Sequence, residues 1–82
     1  MLVNIKYFAS VREAVGRADE IRETSSLSLA ALRDELVASG AAFECLSRNR
    51  PVRMALNHVM SDEAALLIPN CEVAFFPPVT GG

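Results

Sequence analysis

The sequence predicts one α+β domain, with one main helix packed on one face of a mixed sheet of four to five strands. Two segments, 2–8 and 72–76, alternate with the period of a strand that buries one face. Between them, an apolar stripe at helical spacing predicts the main helix, which Ser28 caps and Gly40 ends. That stripe consists of Leu29, Leu32, Leu36 and Val37. The helix lies in a connection of about 25 residues, long enough for the chain to change its position in the sheet.

Short local patterns predict the N-terminal elements. The first strand places Val3, Ile5 and Tyr7 on one face and leaves the other to Leu2, Asn4, Lys6 and Phe8. Ser10 and Glu13 have the spacing of a capping box, which predicts a short helix that stops at Gly16. Residues 18–24 form a charged strand suited to a sheet edge, with Ile21 as its one clearly inward side chain.

The C-terminal half predicts a short helical piece within 41–48 and three more strands. Residues 52–57 alternate as a third strand, and 58–60 form a short return strand. The turn between them lies at Asn57–His58, so we expect His58 to be a turn or surface residue rather than a ligand. Pro69–Asn70 marks the turn before the last strand. That strand places Val73 and Phe75 on one face and Ala74 and Phe76 on the other.

Composition indicates a folded globular domain and excludes several functions. The chain has 82 residues, 51% hydrophobic and 22% charged, with a net charge of −2. Its eight basic residues are scattered except for a loose cluster, Arg48, Arg50 and Arg53, so we expect no nucleic-acid partner. No run approaches the ~20 apolar residues of a membrane span, and the start lacks a secretory pattern. We therefore expect no membrane partner and a cytoplasmic location, with Cys45 and Cys71 as reduced, buried thiols.

The sheet face turned away from the main helix has unexpected apolar residues. If Val73 and Phe75 face the helix, then Phe76 faces away, together with Phe8 and Met60. In a fold with one main helix this face should be exposed to solvent, so the three apolar residues predict a partner-binding patch. The alternative is that Phe8 lies past the strand end and is covered by a loop.

The C-terminal tail, 77–82, has an unusual composition. Pro77 and Pro78 fix two backbone dihedrals and remove two donors, so a stiff, extended tail should leave the domain. The β-branched Val79 and Thr80 continue it, and Gly81 and Gly82 add no side chains. Such an end can enter a channel too narrow for any Cβ and present its carboxylate to another protein's active site. An ordinary flexible terminus is the alternative.

Two segments carry a resemblance to a known family. They are YFASVRE at 7–13 and EVAFFPPVTGG at 72–82, and Asn57 matches a family position after the third strand. The sequence thereby resembles the small subunits of molybdopterin synthase, ubiquitin-like sulfur carriers of the β-grasp fold. The resemblance implies a β-grasp domain over 1–76 and an extended Gly-Gly tail over 77–82. One departure is Ile-Pro-Asn-Cys at 68–71, where the family tends to have an Asp-Gly-Asp turn.

The resemblance also implies a function. In the family, a ubiquitin-activating-type adenylyltransferase uses ATP to adenylate the terminal carboxylate, here that of Gly82, and a sulfur donor converts it to a thiocarboxylate. The tail then enters a large catalytic subunit, where the sulfur passes to cyclic pyranopterin monophosphate to build the dithiolene of molybdopterin. By this resemblance the synthase is a heterotetramer of two small and two large subunits. The small subunit binds no metal and no cofactor of its own. The residues that would enter the channel of the large subunit ahead of Gly82 are Pro77, Pro78, Val79, Thr80 and Gly81. The residues that would contact the partner's surface are Phe8, Met60 and Phe76.

Three alternatives stay open at the level of sequence. The chain could carry sulfur for another pathway, such as thiazole or cysteine synthesis, although Phe-Phe-Pro-Pro before the glycines is not expected there. It could be a ubiquitin-like modifier conjugated to lysines, or a binding domain with an inert terminus. Cys45 and Cys71 are not expected to carry sulfur, because neither is near the tail in sequence and the family stores sulfur on the terminal carboxylate.

Overall fold

The computed structural model describes residues 1–78, which form a five-stranded mixed sheet with one main helix across one face. The strand order is β2-β1-β5-β3-β4. β1 and β5 are parallel neighbours at the centre, and the other pairs are antiparallel. The elements in chain order are β1 (Leu2–Tyr7), α1 (Ala9–Val15), β2 (Asp19–Glu23), α2 (Leu29–Ser39), a 3-10 helix (Ala41–Leu46), β3 (Arg53–Leu56), β4 (Val59–Ser61) and β5 (Glu72–Phe76).

The core lies between α2 and the face of the sheet that alternation predicted. The three predicted inward residues of β1 are buried, and so are Val73 and Phe75 of β5. On α2, Leu29, Leu32 and Leu36 are fully buried, whereas Val37 is half-buried at the margin. Aromatic packing closes the centre, where Tyr7 and Phe75 stack with ring centroids 6.2 Å apart. The predicted α+β architecture is therefore confirmed.

The start of α1 differs from the capping-box prediction. The N-cap is Phe8, and no side chain caps the helix, so Ser10 lies inside it. Phe8 stays extended because its amide donates to the Phe75 carbonyl oxygen, and its own carbonyl accepts from the Val11 and Arg12 amides. The sheet ladder thus sets where the helix begins, and Ala9 takes a φ of 52° at the junction. The predicted stop is confirmed at Gly16, whose φ is 89°.

The prediction for Ile21 was wrong. β2 does occupy a sheet edge, but Ile21 pairs with Asn4 on the face away from α2 and is 70% exposed. Its neighbours Glu20 and Arg22 point to the helix side, because each forms a hydrogen bond there. The Tyr7 hydroxyl donates to Glu20 over 2.6 Å, and Arg22 donates to Glu35 of α2. Two charged side chains can therefore lie on the inner face of an edge strand when both are hydrogen-bonded.

Glu35 is the centre of this polar cluster between β2 and α2. One carboxylate oxygen accepts from the hydroxyls of Thr24 and Ser26, and the other accepts from Arg22. Partial burial alone would raise the pKa of Glu35, but these hydrogen bonds and the charge of Arg22 outweigh it and lower the pKa below its usual 4.5. The ionised carboxylate of Glu35 therefore links the edge strand β2 and the segment after it to α2.

Glu35→Gln is expected to make the domain less stable at neutral pH by about 1–2 kcal/mol. Because the folded state depresses the pKa of Glu35, the stabilisation by its carboxylate is complete above pH 4.5 and is lost as pH falls below that value. Urea unfolding of both proteins across this pH range should show the difference shrinking on acidification. A difference that stays constant with pH would contradict the assignment.

The turns of the C-terminal half follow the prediction closely. Asn57 and His58 both have positive φ, 49° and 69°, which is a hairpin turn of the primed type. The return strand runs over Val59–Ser61, one residue later than predicted, because His58 belongs to the turn. Asn70 takes a φ of 64° in the turn before β5, where an Asn tolerates the left-handed region. In the described residues no helix is long and apolar enough to span a membrane.

Candidate functional site

The outer face is the sheet surface turned away from α2, and near the start of the tail it forms two short rows of side chains. Strand register gives one row across the sheet as Lys6, Ala74, Ala55 and Met60. The next row contains Phe76 of β5 with Arg53 of β3 directly opposite it. Phe8 follows β1 in extended conformation and continues this second row. Ala74 and Ala55 thus form the shallow centre of the face, which we call the alanine floor, and larger side chains surround it.

The three apolar residues predicted for a partner interface all lie on this outer face. Phe8 is 45% exposed and Met60 is 58% exposed, while Phe76 is half-buried. The alternative in which a loop covers Phe8 does not hold, because its amide remains on the sheet ladder with Phe75 and its ring stays exposed. Their role in binding a partner stays a prediction. A patch of this kind, next to a chain terminus, is typical of a docking surface.

The last strand ends at Phe76, and Pro77 and Pro78 follow it. Pro77 and Pro78 are half-buried and line a surface groove between α1 and the segment around Arg50. The rest of its lining comprises Ser10, Val11, Ala14, Cys45, Pro51 and Val52. Because a proline lacks a backbone donor, strand pairing cannot continue through this pair. The predicted roles of Val79, Thr80, Gly81 and Gly82 fall outside the described residues.

Cys45 lies closer to the tail than its sequence position suggested. The prediction of a buried thiol is confirmed for Cys71 and was wrong for Cys45, which is half-buried because it lines the same surface groove as Pro77 and Pro78. Burial raises the pKa of Cys45, with a partial offset from its backbone hydrogen bond and from Arg50, so the thiol is protonated at neutral pH. No sequence signal indicated this proximity, which arises from packing of the 3-10 helix near α1.

Asn57 fixes the strand that leads to the tail. Its side-chain oxygen accepts from the Glu72 amide over 2.8 Å, and its own amide donates to the Glu72 carbonyl over 2.8 Å. The β3–β4 turn is thereby attached to the first residue of β5. His58 is a surface turn residue as predicted, with 81% of its side chain exposed and Nε2 3.3 Å from a Glu72 carboxylate oxygen. Asn57 therefore acts on the tail indirectly, through the position of β5.

The fold and the exposed face beside the tail define a ubiquitin-like β-grasp protein. A family model described as the ThiS family matches residues 5–82, so the chain belongs to the ThiS family. Among curated relatives, the molybdopterin synthase sulfur carrier subunit of Haemophilus influenzae is 30% identical over 82 residues. That alignment covers 99% of this chain and 100% of the relative.

Solved structures agree on the fold. SAMP1 from Haloferax volcanii matches with a TM-score of 0.79 at 20% identity, over 100% of both chains. A chain in the complex of subunits 1 and 2 of the molybdopterin-converting factor from Helicobacter pylori 26695 matches with a TM-score of 0.72 at 20% identity, again over 100% of both chains. At these identities the likeness shows the β-grasp fold, and the family assignment rests on the sequence matches.

Proposed function

We propose that this chain is the sulfur carrier subunit of a molybdopterin synthase, with the carboxylate of Gly82 as its reactive group. The observation that carries the proposal is the place where the last strand ends. β5 ends at Phe76 beside an exposed apolar patch, and the sequence continues from there through Pro77–Pro78 to Gly81–Gly82. Family membership and the curated relative support the same role.

The chemistry requires activation of the carboxylate, which is a poor electrophile. A carboxylate oxygen of Gly82 attacks the α-phosphate of ATP on an adenylyltransferase, and pyrophosphate leaves. Sulfur delivered at the sulfide oxidation level, as hydrosulfide, then attacks the acyl carbon, AMP leaves with the acyl–oxygen bond electrons, and the thioacid proton is lost to solvent. The product is a thiocarboxylate, whose sulfur is a good nucleophile. This chain contributes the terminal group and its presentation, and the partner enzymes contribute the acid-base and anion-binding groups.

The second stage takes place in a large subunit, which the tail enters through its narrow Gly-Gly end. The thiocarboxylate sulfur passes to cyclic pyranopterin monophosphate, and two such transfers build the dithiolene. The Helicobacter pylori complex pairs subunits 1 and 2 of a molybdopterin-converting factor, and we propose an analogous complex here as a heterotetramer of two small and two large subunits. Because activation uses ATP, we expect the carrier to work in the cytoplasm.

Intact mass spectrometry tests the first stage directly. After incubation with the adenylyltransferase, ATP and a sulfur donor, we expect the mass to rise by the difference between one sulfur and one oxygen. Deletion of Gly82 should abolish the shift, because the chain then ends one residue short of the reacting position. The Cys45→Ser/Cys71→Ser variant, checked for folding, is the matched control and should retain the shift. A shift that is lost with the cysteines, in a folded variant, would contradict the terminal assignment.

The same preparation separates the alternatives left open by the sequence. A thiocarboxylate that forms but yields no dithiolene with the large subunit and the pterin precursor would indicate a carrier for another pathway. Isopeptide adducts to lysines in cells, without a thiocarboxylate pool, would indicate a protein modifier. An unmodified chain in the presence of a competent adenylyltransferase would indicate a binding domain with an inert terminus.

A further inference from the structure

The basic residues of the chain divide into two groups by their partners. Four of the eight have a carboxylate within 4.0 Å, and these are Arg17, Arg22, Arg33 and Arg48. The other four, Lys6, Arg12, Arg50 and Arg53, make no ion pair with the residues at positions 1–78. All four of the latter lie around the start of the tail or on the outer face beside it.

Arg53 and Arg50 both lie near the point where the last strand ends. Arg53 is exposed on the outer face directly opposite Phe76 in the β3–β5 register. Arg50 is exposed and lines the tail groove with Pro77 and Pro78. Arg12 lies on α1, where its amide donates to the Phe8 carbonyl. Within residues 1–78, the end of the last strand thus has two exposed arginines near it, and neither forms an ion pair.

The acidic side chains that share a groove with Arg53 make no ion pair with it. These are Asp62 and Glu63. The Glu63 carboxylate binds Arg33 over 2.5 Å, whereas Asp62 keeps its charge, accepts a hydrogen bond from the Ala64 amide over 2.8 Å and makes no ion pair with an arginine at positions 1–78. Glu13, also exposed, adjoins Arg12 on α1, and Lys6 has Asp19 opposite it in the β1–β2 register. Among residues 1–78, Arg50 and Arg53 are therefore two exposed cations without an ion pair near the start of the tail.

We propose that the large subunit binds the outer face with a surface whose rim is acidic, placing carboxylates against Arg50 and Arg53 near the start of the tail. The inference rests on the proposed function, which supplies this partner, and it defines the chemistry that recognises this particular carrier. An apolar contact over the alanine floor would hold the complex, because buried apolar anchors carry most interface energy. The rim charges would steer the two proteins together and orient the tail toward its channel.

The experiment compares association of this chain with the large synthase subunit of the same organism in low and high salt. Between about 0.1 M and about 1 M NaCl the Debye length falls from about 10 Å to about 3 Å, which removes rim steering. The test variant is Arg50→Gln/Arg53→Gln. The control, Arg17→Gln/Arg48→Gln, removes the same charge from exposed arginines that already have carboxylate partners. The Arg50→Lys/Arg53→Lys variant retains the charge at the tail.

For the wild type we expect an association rate constant that falls at least about tenfold with this increase in salt. The test variant should associate about five- to tenfold more slowly in low salt and respond weakly to salt, with the control and lysine variants close to wild type. A test variant that behaves like wild type, or a control that is equally impaired, would overturn the inference while leaving the proposed function intact. Failure of the wild type to bind the large subunit at all would overturn both.

Discussion

Phe75→Ala is expected to lower the free energy of unfolding by about 3–5 kcal/mol, the usual cost of removing a buried phenylalanine ring. Phe75 is fully buried, stacks on Tyr7 and lies opposite Met54 in the β3–β5 register. Phe75 lies in the central parallel pair of strands, whose hydrogen-bonded ladder limits how far the backbone can move to fill the cavity. In a domain of 82 residues such a loss is a large part of the total stability.

Its neighbour in sequence supplies a matched control. Phe76 has the same side chain on the next residue of β5, but it is half-buried on the outer face. Phe76→Ala is therefore expected to cost only about 1 kcal/mol. Urea unfolding monitored by circular dichroism measures both variants. Equal losses at the two positions would mean that the outer face is part of a core, contrary to the register.

Strand periodicity predicted most of this fold because the core is built from side-chain alternation. Val3, Ile5 and Tyr7 are buried where their spacing places them, and the same rule sets Phe76 on the opposite face. The prediction was wrong for Ile21, where counting apolar residues gave the opposite face. An edge strand can turn two charges inward when a helix offers partners, and Arg22 and Glu35 are far apart in sequence. Local pattern does not contain that information.

The candidate site was predictable to a different degree in each of its parts. The extended tail stays a prediction, which rests on the way that proline and glycine act on the backbone wherever they occur. Phe8 could be placed by parity alone, although its role as N-cap depends on the Phe75 carbonyl, a contact made only after the sheet assembles. The proximity of Cys45 to Pro77 depends on tertiary structure, and so does the absence of an ion pair for Arg53 within residues 1–78. The sequence showed the loose arginine cluster without indicating that Arg48 would pair with Asp34.

Phe76→Asp is expected to weaken binding to both the large subunit and the adenylyltransferase by about 30- to 1000-fold, which corresponds to about 2–4 kcal/mol. The substitution removes an apolar anchor beside the tail and forces the partner to bury a carboxylate. The fold should tolerate the change, because Arg53 lies directly opposite position 76 and forms a favourable cross-strand pair with the new carboxylate. Binding affinity measured by calorimetry, with circular dichroism of the free variant, separates the two effects.

Ile21→Asp is the matched control for this last prediction. Ile21 is an exposed apolar residue on the same outer face, but it lies on edge strand β2, at the far side of β1 from the tail strand. The control therefore makes a comparable chemical change away from the docking patch and should bind both partners like wild type. We propose that the same patch binds both partners, and we therefore expect excess large subunit to inhibit adenylation of the wild-type chain. Unfolding of the Phe76→Asp variant would assign Phe76 to the core. Binding at wild-type affinity by a folded variant would show that the partners bind a different surface of the carrier.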